Sequence, residues 1–174
     1  EGIDSLRGHE GEAGRCYFSA IPALLRDDLD ARLRFPGRNR RPPKDCFNAL
    51  LSFGYALLYR DVVQAILAVG LEPAFGFFHQ PRSASHPLAL DLMELFRVRA
   101  WDMALVASIN RLQWNPDADF TYAGPQVWLS DAGRKQAIEV YERRKEDHWK
   151  HPVTHYSLSY GRLIELEVRP SVPG

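Results

Sequence analysis

The stretch 88–96 reads LALDLMELF and is apolar on every side except at Asp91 and Glu94. A helix apolar all round is normally buried, so the pattern carries two carboxylates into the interior one turn apart. An ionised carboxylate without a partner there would sooner take up a proton, and each therefore needs a cation, a donor or a metal. Glu10 raises the same question, because Leu6, Glu10, Ala13 and Tyr17 recur at helical spacing and place a glutamate on an apolar face. His79 closes the apolar run FGFFH, and the segment between it and Glu94 is long enough to bring the two together. One imidazole and two carboxylates form a ligand set suited to Mn2+ or Mg2+. The same spacing equally allows ordinary ion pairs, Glu94 with Arg97 and Glu10 with Arg15, and a solitary loop histidine.

The elements that must position these residues read as helices. The first spans 6–18, and the nearly continuous apolar segments 47–58 and 62–69 form two central helices, with Asp45 as a cap and Gly70 as a stop. Pro87 at a first-turn position opens another helix running to about residue 96, and a further one covers 98–112. Residues 120–122 and 127–129, separated by Ala-Gly-Pro-Gln, predict a short hairpin. Ser130 caps a helix over 131–149, and a last helix covers 156–168. The fold class is all-α, a bundle of packed helices with at most a short β-hairpin near 120–129, forming one domain over 1–174.

Composition narrows the function classes. The chain has 174 residues, an apolar fraction of 45% and a charged fraction of 25%, enough to bury a core and too apolar for disorder. No uncharged apolar run approaches the ~18 residues of a membrane span, and residues 1–10 lack the layout of a signal peptide. A cytoplasmic protein is expected. Cys16 and Cys46 show no Cys-x-x-Cys spacing and read as buried thiols. Lys plus Arg and Asp plus Glu are both 22, so any contact with nucleic acid must be local. Positive charge is in fact concentrated: Arg38, Arg40, Arg41 and Lys44 fall in the loop FPGRNRRPPK, whose prolines exclude helix. Four unshielded cations in such a loop predict an exposed, mobile segment able to track a phosphate backbone, or else simply a solvated loop.

Four blocks carry a family resemblance. LRGHEGEAGRCYF resembles a Gly-x-Glu-Gly signature followed by Arg and Tyr-Phe. RNRRPPKDCFNALLSFGYALLY is similar to an Arg-Pro-Pro-x-Asp and Asn-Ala-Leu-Leu-Ser-Phe block, and GLEPAFGFFH and LALDLMELFR match histidine and carboxylate motifs. Their order and spacing are those of the CRISPR-associated spacer-acquisition integrases, prokaryotic DNA endonucleases of the adaptation stage. The resemblance implies metal ligands at Glu10, His79 and Glu94, and a supporting acceptor at Asp91 that orients His79 or an arginine. The family's N-terminal β domain has no counterpart here, so the chain reads as the helical catalytic part of a longer protein. Glu94-Leu95-Phe96-Arg97-Val98 stands where the family often has Glu-Pro-Phe-Arg-Pro.

The activity implied is attack of a DNA 3′-hydroxyl on a phosphodiester of the CRISPR repeat, inserting a new spacer by transesterification with Mn2+ or Mg2+. Arg97 and Arg15, close in sequence to the carboxylates, are placed to fork onto phosphate oxygens. Tyr59 resembles a family aromatic near the scissile strand and is either a base-stacking residue or a core tyrosine. The partners implied are prespacer and repeat DNA, a second copy of the full-length protein, the small ferredoxin-like adaptation subunit, and a fused or associated CRISPR exonuclease. Two other readings stand beside it. One is another helical metallophosphodiesterase, although the type built on an adjacent His-Asp pair is excluded because no histidine here precedes Asp. The other is a non-catalytic helical interaction module.

Overall fold

The computed structural model describes residues 3–78, 86–150, 155 and 157–168. These form two compact units, one of Glu1–Ser52 with Leu105–Gln136, the other of Phe53–Ala104 with Ala137–Gly174. The described residues contain six α-helices and two small antiparallel sheets, a mostly helical fold as expected.

In the first unit α1 (Ile3–Ala20) is followed by short 3-10 turns at Ile21–Leu24 and Ala31–Leu33. The proline-rich loop then leads into α2 (Cys46–Ala68). Asp45 caps α2 as expected, accepting the Asn48 N–H at 2.8 Å. Where a break was expected near Tyr59–Asp61, α2 runs on unbroken, because no Pro there removes a backbone donor. By length and composition α2 could cross a membrane, but its Leu50, Leu58, Val62 and Ile66 are buried within the protein at helical spacing. The helix ends in a Schellman arrangement: Gly70 has φ +77, its N–H donates to Leu67 O, and Leu71 N–H donates to Ile66 O.

The expected hairpin is present. Strand β1 (Phe120–Ala123) pairs with β2 (Gln126–Leu129) in the register Phe120↔Leu129, turning at Gly124 and Pro125. Ser130 caps the following helix through the Gly133 N–H at 3.1 Å. The basic loop differs from expectation. Arg38 is half-buried and donates to Asn48 Oδ1 at 2.8 Å, Asn39 bridges Asp45 and the Lys44 N–H, and Val127 N–H donates to Pro43 O. Polar side chains of the loop and of α2 supply partners that the sequence reading left to water. Of the loop's four cations, Arg40, Arg41 and Lys44 are exposed, with no acidic partner among the described residues.

The second unit holds most of α2, α3 (Pro87–Met93), a π-helical turn at Arg97–Asp102, most of α5 (Asp131–Glu146), and α6 (Tyr160–Val168); α4 (Met103–Asn110), which follows the π-helical turn in sequence, belongs mostly to the first unit. The helix expected over 98–112 thus begins as a wider turn, and three consecutive residues, Ala100, Trp101 and Asp102, are buried. Helix α5 stops before the expected residue 149. Strand β3 (His148–Lys150) pairs with β4 (Ser157–Ser159), a second hairpin that displaces the start of the last helix to Tyr160. Arg99 covers the Trp149 ring at 4.4 Å and Arg144 binds Asp147 at 2.8 Å. Cys46 is buried as expected, whereas Cys16 on α1 is exposed.

Candidate metal centre

Of the three carboxylates expected in the interior, Glu10 and Glu94 are at the surface and Asp91 is half-buried. Glu10 is exposed on α1 and pairs with no other described residue. The face that carries it is not a core face, since Leu6 is 55% exposed and Ala13 is exposed as well. Glu94 lies beyond the end of α3 at Met93, so the all-apolar helix used to argue its burial does not include it. Its two carboxylate oxygens accept from the single nitrogen Nη1 of Arg97 at 2.5 and 2.6 Å, the ordinary ion pair that the spacing had also allowed.

Asp91, in the last turn of α3, accepts the backbone N–H groups of Phe77 and Phe78 at 2.6 and 2.9 Å. It thereby fixes the chain up to the last described residue before His79. Gly76 is needed in the same place, because a Cβ there would press on Pro87 and on the Asp91 carboxylate. His79 itself lies outside the described residues, and among the described residues no three His, Cys, Asp or Glu side chains form a metal-binding group. The described donors still suit a hard divalent ion: Glu10 and Glu94 are accessible carboxylates, and neither serves the hydrophobic core. Asp91→Ala is expected to free the 77–78 backbone. Hydrogen exchange at Phe77 and Phe78 should accelerate about tenfold or more while exchange in α2 stays unchanged.

A family model described as CRISPR associated protein Cas1 matches residues 1–143. The chain belongs to the Cas1 family. It is 59% identical over 167 residues to a CRISPR-associated exonuclease Cas4/endonuclease Cas1 fusion from Myxococcus xanthus, covering 96% of this chain and 29% of that protein. Its fold is similar to a Cas1 protein from Thermotoga maritima, with TM-score 0.84 and 31% identity, covering 97% of this chain and 50% of that one. A chain of a Cas6-RT-Cas1–Cas2 complex is similar at TM-score 0.80 and 28% identity, with 97% of this chain and 18% of that chain covered. The present chain therefore spans at most half the length of these Cas1 relatives.

The remaining candidates on this Cas1 chain occupy varied settings. Arg15 is exposed and ion-paired with Glu12 at 2.5 Å, a partner the sequence reading did not consider. Tyr59 is half-buried, and its hydroxyl accepts the His86 backbone N–H at 3.0 Å while lying 2.7 Å from His86 Nδ1. Arg97 is half-buried, its guanidinium 4.3 Å from the centre of the Tyr55 ring. Tyr55 in turn donates to Asp102 Oδ2 at 3.1 Å. The sequence reading missed Tyr55 and Asp102, although one signal was present: Asp102 is a lone acid within the apolar run AWDMALV. Burial first, and then the negative charge of Asp102, push the Tyr55 hydroxyl well above the usual phenol range, so it remains a donor.

Proposed function

We propose that this chain is the helical catalytic part of a Cas1 endonuclease and integrase that inserts spacer DNA into a CRISPR repeat by metal-dependent transesterification. The observation that carries this reading is the 59% identity, over 96% of the chain, to a relative named as an endonuclease Cas1 fusion. Glu10, His79 and Glu94 are the ligands of one divalent ion, Mn2+ or Mg2+. Such an ion would lower the pKa of the attacking 3′-hydroxyl and offset charge building on the phosphate. The chain's own residues do the rest. Asp91 holds the backbone leading to His79, and Arg97 places a guanidinium beside Glu94 where a phosphate oxygen can approach.

Prespacer and repeat DNA are the substrates. Arg40, Arg41 and Lys44 contact the phosphate backbone, while Arg38 serves the loop's own structure. The full-length protein works as a homodimer in the prokaryotic cytoplasm, with a Cas2 subunit and a fused or associated Cas4 exonuclease. The Cas1–Cas2 complex and the Cas4/Cas1 fusion found among the relatives support those two partners. The reading is tested by Mn2+-dependent joining of a prespacer 3′-end to repeat DNA by the full-length protein, and absence of such joining would sink it. Arg41→Ala should weaken DNA binding at every sequence and lower the slope of log affinity against log salt by about 1, with the joining step unchanged once DNA is bound. An unaltered salt slope would remove Arg41 from the interface.

A further inference from the structure

Glu94 is held by more than one arginine acting alone. The buried Asp102 carboxylate, only 2% exposed, accepts the Tyr55 hydroxyl proton at 3.1 Å. Tyr55, itself 9% exposed, turns its ring to Arg97 at 4.3 Å, and Arg97 closes on both Glu94 oxygens. The backbone makes this chain of contacts possible, since the π-helical turn Arg97–Asp102 carries its first residue to Glu94 and its last beneath Tyr55. A guanidinium over an aromatic face gains cation–π attraction, which grows as water is excluded.

We infer that Tyr55 and Asp102 are positioning residues that hold Arg97 as an internal counter-ion on Glu94, occupying the cation's place there until a divalent ion binds. The inference rests on the metal-centre reading given above. It assigns Arg97 two situations. Without metal, its Nη1 donates to both Glu94 oxygens. When an ion takes those oxygens, the guanidinium remains on the Tyr55 face with its donors released toward a DNA phosphate. Binding of metal and readiness to bind phosphate are thus coupled through one side chain, at no cost in refolding. A carboxylate without this counter-ion would bind metal more tightly but leave Arg97 free to wander among its rotamers.

The experiment measures Mn2+ affinity of the full-length protein by electron paramagnetic resonance, and KM for repeat DNA, in the wild type and four variants. Arg97→Gln should tighten Mn2+ binding about 2- to 5-fold, the range that a partly exposed ion pair is worth. Tyr55→Leu leaves the charge unchanged and should also tighten Mn2+ binding while raising KM for DNA. A variant that was merely destabilised would weaken both. Tyr55→Phe, which keeps the ring and loses the hydroxyl on Asp102, should fall between wild type and Tyr55→Leu, and it serves if the leucine variant does not fold. In the double variant Tyr55→Leu with Arg97→Gln, the tyrosine change should add nothing to the arginine change. Wild-type Mn2+ affinity in Tyr55→Leu, or full additivity in the double variant, overturns the inference and leaves the metal centre standing. A wild-type protein that binds no Mn2+ overturns both.

Discussion

Full-length protein carrying His79→Ala is expected to lose joining of DNA ends by about a thousandfold, equivalent to roughly 4 kcal/mol of transition-state stabilisation. Its affinity for repeat DNA should stay within about twofold of wild type, because phosphate affinity comes from arginines and lysines. The two effects separate because a metal ligand acts where charge develops during the reaction, and ground-state binding of DNA does not need it. Glu94→Ala should cost joining a comparable factor, with a distinguishing effect on stability. The Glu94–Arg97 pair is 41% and 23% exposed at its two side chains, so its loss should change the unfolding free energy by less than about 1 kcal/mol. The measurements are single-turnover joining in Mn2+, a salt-titrated binding assay and denaturant melts. Joining by His79→Ala at the wild-type rate would contradict the assignment of the metal centre.

The second large effect is structural. Gly54→Ala should destabilise the protein by about 3 kcal/mol, at the top of the usual range for overpacking. A Cβ on Gly54 would overlap the indole of Trp101, which is fully buried and sits edge-on to Tyr141 at 6.2 Å. An indole so enclosed has no free rotamer, so the strain passes to the backbone of the π-helical turn. That turn carries Arg97 and Asp102, so whatever fraction still folds should also show Mn2+ affinity shifted in the direction of Tyr55→Leu. An exposed control on the same helix, Ala56→Gly, should cost only about 1 kcal/mol, the helix-propensity difference alone. Gly54→Ala with the stability of wild type would mean that Trp101 has an alternative seat.

The family, the helical class and the hairpin at Phe120–Leu129 were legible in the residues, and so were the caps at Asp45 and Ser130. These are local properties: a cap needs one side chain and the next three N–H groups, and a hairpin needs alternation and a turn residue. The motif blocks likewise named Glu10, His79 and Glu94 without any knowledge of where the chain would carry them. Exposure was not legible. Helical spacing shows that one face is apolar, and it is silent on what covers that face, so Leu6 and Glu10 on α1 read as interior and are exposed. For Glu94 the decisive detail was a helix ending at Met93, about three residues earlier than the apolar pattern implied. The order of the basic loop depended on Asn39 and Asn48 finding Asp45 and Gly37, pairings that residue types alone do not rank. Asp102 shows the limit most clearly. A lone acid in an apolar run signals a buried charge, but its partner Tyr55 stands 47 residues earlier, and only the packed helices bring that hydroxyl within 3.1 Å.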